Sequence, residues 1–148
     1  MSHTLEEWRP IAGLEKRYEV SNLGRVRSLP RLETHTRQGK PVTCYRSGKI
    51  LKLLNHKKGY LMVNISVAGK PVMHTVHYLV ATTFLPVCPG PYGVGNWVVD
   101  HINEDKTDNR VENLRWLTNK ENISTPKARA KIRAKCSVQV RDATGRFT

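Results

Sequence analysis

The stretch VVDHINEDKTDNRVENLRWLTNKEN, residues 98–122, holds six of the chain's twelve carboxylates (Asp100, Glu104, Asp105, Asp108, Glu112 and Glu121) in a protein whose formal net charge is +13. Its local pattern predicts strand, polar loop, strand, helix. Val98 and Val99 read as the end of one strand. Residues 113–118 read as a second, with Leu114, Trp116 and Thr118 alternating against Arg115 and Leu117. Thr118 then opens a helix, because Glu121 falls three positions behind it, where the two residues cap each other's backbone. Asp100 and His101 are thus expected at the exit of the first strand. Asn122 is expected in the first turns of a helix that folds back across the hairpin.

Asp100 and His101 are chain neighbours, so their side chains diverge and can serve separate tasks around one point. A carboxylate oxygen suits a hard divalent cation such as Mg²⁺, and a neutral imidazole accepts a proton from water near neutral pH. Asn122 adds a second oxygen ligand without adding negative charge. A carboxylate, an amide oxygen, waters and a substrate phosphate together describe weak binding of a cation that nucleic acid completes. Taken alone, His101 reads equally well as a buried structural histidine. Glu104, Asp105 and Asp108 lack the glycine and closing glutamate of a calcium loop and read as turn residues. Asn109 and Arg110 either touch a nucleic acid or shape the loop, and Trp97 and Trp116 read as core. Of the other histidines, His77 alone merits attention.

Working outward, Tyr18 and Val20, a turn at Asn22-Leu23-Gly24, then Val26 and Arg27 predict a β-hairpin. From Arg25 to Gly59 there are ten Lys/Arg and a single acid, Glu33, with little apolar periodicity, which predicts a loop ordered by its partner. A second hairpin follows, with Leu61, Val63, Ile65 and Val67 on one face and a turn at Ala68-Gly69-Lys70. Val76, Leu79, Val80 and Phe84 then change the period to that of a short core helix closed by Pro86. Residues 85–97 carry three prolines and three glycines and form a loop. From Lys127 onward lie seven Lys/Arg and one acid, read as a basic extension.

With 148 residues, the chain is sized for one domain or a small domain with appendages. A sequence pI near 10.1 and 25 Lys+Arg against 12 Asp+Glu call for a polyanionic partner. No apolar run approaches the ~18 residues of a membrane span, and the start MSHTLEEWRP has no signal-peptide core. A cytoplasmic protein is expected. Cys44, Cys88 and Cys136 are far apart and support neither a disulfide framework nor a thiolate zinc site.

The pattern Asp100-His101, then Asn113, then Asn122, set in VVDHIN…NRVENLRW, resembles the HNH (ββα-metal) endonucleases, above all their phage and intron-encoded homing-type branch. EEWRPIAGLEKRYEVSNLGRVRSL looks like the NUMOD4-type module that often precedes them, and GYLMVNISVAGKPVMHTVHYLVATTF like their strand-and-helix lead-in. The resemblance spans about residues 6–122. It implies an α+β chain with a ββα-metal nuclease core: an N-terminal β module and basic DNA-contacting loop over 1–58, a nuclease domain over 59–125, and a basic DNA-binding extension over 126–148.

It also implies that His101 is the general base, that Asp100 and Asn122 hold one Mg²⁺ or Mn²⁺ ion, and that Asn113 braces the loop and keeps His101 oriented. Asn122 stands where other branches place histidine, which favours these ions over zinc. Tyr78 stands where related helices commonly carry arginine. A cation-poor pocket is expected around Asp100, leaving the metal as the charge at the phosphate. Double-stranded DNA is the expected substrate, bound as a monomer that nicks or as a homodimer that cuts both strands. Its grip is expected from Arg25, Arg27, Arg37, Lys40, Lys49 and Lys52 on the N-terminal side. Lys57, Lys58 and Arg110 continue it, and Lys127, Arg129, Lys131 and Arg133 complete it. The rival reading is a non-catalytic DNA-binding protein on the same scaffold, in which replacing His101 leaves every function intact.

Overall fold

A computed structural model describes residues 5–88, 90, 97–124, 129 and 130. The expected N-terminal hairpin is β2 (Tyr18–Ser21) against β3 (Val26–Ser28), in antiparallel register Val20↔Val26. Two strands that the sequence reading did not anticipate widen it, β1 (Trp8–Pro10) on β2 and a short later strand, β6 (Lys49–Ile50), on β3. The four-stranded sheet so formed buries Tyr18, Val20 and Val26 on its inner face.

Between β3 and β6 the expected loop is instead a ribbon. β4 (Arg31–Arg37) and β5 (Lys40–Arg46) pair over their whole length, from Arg31↔Arg46 to Arg37↔Lys40. Gln38 and Gly39, at φ 52° and 76°, close it in the two-residue turn whose twist matches that of the strands. None of the ribbon's strand residues is buried. With no face turned to the core there is no apolar alternation to read. Cross-strand pairs hold it instead, Thr34 with Thr43 at 2.8 Å and Leu32 facing Tyr45. Glu33 anchors its base by accepting from Arg17 at 2.5 Å and from Arg46 at 3.3 Å.

The second hairpin is β8 (Leu61–Val67) with β9 (Lys70–Thr75), and β7 (Leu54–Asn55) adds an edge. Val63 and Ile65 are fully buried while Asn64 between them is exposed, as the period-2 pattern requires. The helix α1 (Val76–Phe84) follows without a break and buries Val76, Leu79 and Val80 in one cluster with the inner residues of the first two sheets. Tyr18 ties those sheets together, its hydroxyl accepting the Ser66 N–H at 3.2 Å. The last hairpin, β10 (Trp97–His101) with β11 (Leu114–Thr118), and the helix α2 (Asn119–Ser124) complete a ββα unit against α1. Leu114 carries this unit into the common core. The basic extension lies outside the described residues except for Arg129 and Ala130. Among the described residues no helix is long and apolar enough to cross a membrane.

Candidate active site

The strand β10 runs two residues further than its valines suggest, and its last two positions are Asp100, paired with Arg115, and His101, paired with Leu114. The inward alternation that buries Leu114 also buries His101, at 5% exposure. Asp100 falls on the other face and is half-buried.

Beyond His101 the loop of residues 102–110 is held by its own polar side chains. Asn113, in the single 3₁₀ turn Val111–Asn113 that precedes β11, donates to Asn103 Oδ1 and to the Asp108 carbonyl, both at 2.8 Å. Its Oδ1 accepts the Asn103 N–H at 2.9 Å, and its carbonyl accepts the Ile102 N–H at 2.8 Å. Asp105 accepts from the Thr107 backbone and hydroxyl, and both contacts hold its carboxyl below the ordinary range. Asp108 takes a two-pronged contact from Arg110 at 2.8 Å on each oxygen, and with a bond from Asn103 its pKa is pushed down to about 2. Two of the six acids in the stretch, Asp105 and Asp108, therefore tie the loop. Asn113 hydrogen-bonds within that loop, and none of these bonds reaches the His101 ring.

The side chain that does is Asn109, 3% exposed, whose Oδ1 lies 3.0 Å from His101 Nε2. Asn109 Nδ2 donates to the Thr107 carbonyl at 3.3 Å, which fixes the amide with its oxygen toward the ring. An amide oxygen can only accept, so in the neutral ring Nε2 carries the proton and Nδ1 is the basic nitrogen. His77 meets the His101 ring edge-on, centroids 5.2 Å apart, and Tyr60 packs 5.0 Å from His77. Burial, together with the neighbouring His101, pushes the His77 pKa down to about 4. At neutral pH His77 is therefore uncharged and puts no second positive charge beside His101. Asn109 and Tyr60 are the site residues that sequence reasoning missed. Asn109 was in view, eight positions past His101, but nothing local distinguishes a loop-shaping amide from a ring partner.

One expectation is corrected. The surroundings of Asp100 are not cation-poor, because Arg115 reaches across the hairpin and places Nε at 2.9 Å and a terminal nitrogen at 2.8 Å on Asp100 Oδ2. The cross-strand register sets the two residues directly opposite each other. Asn122 lies half-buried on α2, which packs on both β10 and β11. One carboxylate and one amide oxygen suit a hard, incompletely caged divalent ion. Among the described residues no group of three His, Cys, Asp or Glu forms a denser metal site.

Of the cations expected to grip DNA, Arg25 holds Glu6 and Arg27 holds Glu19, and both guanidinium groups lie over the Trp8 ring. Arg37 and Lys40 stand exposed at the tip of the β4–β5 ribbon, and Lys49, Lys52, Lys57 and Lys58 occupy its continuation toward β8. Trp97 and Trp116 are half-buried rather than core, Trp116 donating to the Pro86 carbonyl at 3.1 Å.

A ββα unit with Asp-His at the end of its first strand and asparagines before its second strand and on its helix defines a class of metal-assisted nucleases. Residues 6–66 match the NUMOD4 motif and residues 74–123 the HNH endonuclease family. The chain is 35% identical over 134 residues to the DNA endonuclease I-HmuI of Bacillus phage SP01, covering 90% of this chain and 65% of that protein. It is 35% identical over 126 residues to an uncharacterized HNH endonuclease of Acanthamoeba polyphaga mimivirus, covering 83% of this chain and 26% of the relative. A solved structure on DNA binding and cleavage by the homing endonuclease I-HmuI superposes with a TM-score of 0.64 at 33% identity, covering 89% of this chain and 67% of that one. The chain belongs to the HNH endonuclease family. It spans 65% of I-HmuI and about a quarter of the mimivirus relative.

Proposed function

We propose that the chain is a metal-dependent endonuclease that hydrolyses phosphodiester bonds of double-stranded DNA. One observation carries this reading: His101 closes β10 next to Asp100 with its Nε2 proton held by Asn109, so that Nδ1 is the nitrogen left to accept a proton. In the reaction His101 takes the proton of the attacking water at Nδ1, a contribution on the order of 10²- to 10⁴-fold. Asn113 keeps the loop that carries Asn109 from drifting. His77, uncharged, leaves His101 free to hold that proton alone.

Asp100 and Asn122 would hold one Mg²⁺ or Mn²⁺ ion, whose chemistry when bound is to neutralise charge at the scissile phosphate and favour ionisation of water. Arg115 competes for the same oxygen of Asp100, which keeps affinity for the free ion low until a DNA phosphate completes the shell. The relative I-HmuI, a DNA endonuclease, supports both the substrate and the reaction. One such site cuts one strand per binding event, so a monomer nicks.

The test is conversion of supercoiled plasmid to nicked and linear forms in Mg²⁺, Mn²⁺ or EDTA. Nicking that needs the metal, and that His101→Ala abolishes while DNA binding persists, is the expected result. Binding without cleavage in any metal, on plasmid and on genomic DNA, would leave only the non-catalytic scaffold.

A further inference from the structure

Asn109 is held from behind by the N-terminal module. The turn of the β2–β3 hairpin, Asn22-Leu23-Gly24, is packed against it. A Cβ built on Gly24 would lie 2.9 Å from Asn109 Cβ, closer than real Cβ atoms come, and 3.2 Å from its carbonyl oxygen, itself a tight contact. One residue past Arg110, the Val111 N–H donates to the Asn22 carbonyl at 2.8 Å, so the turn also fixes the backbone that leaves the loop.

The turn is itself rigid. The Asn22 side chain accepts the Glu7 N–H at 2.9 Å and donates to the Leu5 carbonyl at 3.1 Å. Ser21 Oγ accepts the Arg25 N–H at 3.0 Å. Gly24 sits at φ +84°, a conformation that brings the backbone close to its neighbour where no side chain fits.

We infer that the β2–β3 turn of the N-terminal module is a positioning element of the nuclease site, pressing Asn109 onto His101 Nε2 and thereby setting which ring nitrogen carries the proton. The catalytic use of that nitrogen rests on the function proposed above; the tautomer itself does not. The module would then be part of the cutting machinery as well as a grip on DNA. A neutral imidazole without the Asn109 acceptor divides its proton between two nitrogens, and the fraction with a basic Nδ1 falls. Asn109 and Gly24 act through His101 and touch no substrate, so DNA affinity should not follow the rate.

Gly24→Asn is the decisive variant, because asparagine accepts a left-handed φ and the chain can fold, yet its Cβ still drives into Asn109. Gly13→Asn is the control. It lies in the same module at φ +77°, with open space where its Cβ would go. Asn109→Leu removes the acceptor, and Asn109→Asp restores one.

Two readouts are needed: ¹⁵N chemical shifts of the His101 ring in the metal-free protein at neutral pH, and single-turnover nicking of supercoiled plasmid in Mg²⁺ beside plasmid-binding affinity. The expected result is an Nε2-protonated His101 in the native chain, in Gly13→Asn and in Asn109→Asp, and a mixed tautomer in Gly24→Asn and Asn109→Leu. Nicking in the last two should fall at least about tenfold with affinity held within about threefold.

An unprotonated Nε2 in the native chain, or a tautomer and rate unmoved by Gly24→Asn, overturns the inference. So does a rate loss that merely tracks affinity or that Gly13→Asn shares. If the native chain nicks nothing, the nuclease reading fails by itself and the ring shifts still decide whether the turn sets the tautomer.

Discussion

His77 is a residue whose chemistry the fold alters. It is 7% exposed, packed between the rings of Tyr60 and His101, and its Nδ1 has no hydrogen-bond partner among the described residues. Burial disfavours its charged form, so its pKa falls from 6.5 in the unfolded chain to about 4 in the fold. The unfolded state therefore binds a proton that the native state refuses. Stability is unaffected above pH 6.5 and declines as pH drops from 6.5 toward 4, by up to about 3 kcal/mol. Asp108 stays ionised across this window because Arg110 holds its pKa near 2. Urea unfolding at pH 7.5 and pH 4.5 should show the loss. His77→Phe keeps an aromatic ring against Tyr60 and His101 and should flatten the decline. An equal decline in the variant would place the acid sensitivity elsewhere.

At the scale of elements, what was legible is what short-range geometry decides. The box at the start of α2 forms in full, with Glu121 accepting the Thr118 N–H and hydroxyl, each at 2.8 Å, and Thr118 Oγ1 accepting the Glu121 N–H at 3.2 Å. Both hairpins of the outer sheets turn where Asn22-Leu23-Gly24 and Ala68-Gly69 direct, and α1 occupies the span its apolar spacing marks. The β4–β5 ribbon was illegible because period-2 patterning records a buried face and the ribbon has none. Asn109 was illegible for a different reason. Its role depends on Gly24, 85 residues away, and no spacing in residues 98–122 encodes that contact.

The helix makes a prediction at its own scale. Over its described residues, Asn119–Ser124, α2 has no buried side chain, so its cap is a large share of what holds this first stretch. Thr118→Ala should cost about 1 kcal/mol, seen as faster amide exchange confined to residues 119–124. By freeing Asn122 it should raise the Mg²⁺ concentration needed for half-maximal nicking while leaving saturated DNA binding unchanged. Exchange that quickens throughout the ββα unit would show that the cap supports more than this turn.

At the scale of the whole molecule the surplus of positive charge is unevenly available. Arg9, Arg17, Arg25, Arg27, Arg110 and Arg115 each hold a carboxylate, and Glu33 alone engages Arg17, Arg31 and Arg46. Arg17–Glu33 ties the ribbon to the first sheet, and the other pairs lie within the N-terminal sheet, the ribbon or the ββα unit. The cations of residues 25–58 without a carboxylate partner among the described residues are Arg37, Lys40, Lys49, Lys52, Lys57 and Lys58. All six are exposed. If those six meet phosphates, the slope of log K against log salt should be about −5 from this surface, steeper by about one for each further contact from the extension. Replacing Arg37 and Lys40 together by glutamine should lower its magnitude by about 2. The same change at Arg25 and Arg27 should leave the slope nearly unaltered and instead lower the melting temperature, because Glu6 and Glu19 lose their partners. Fluorescence anisotropy of a labelled duplex across a salt series, with the three chains' melting curves, separates the cases. A slope that falls equally for both pairs would mean that the ion-paired arginines let go of their carboxylates on DNA, and that the molecule's internal bridges and its grip draw on the same charges.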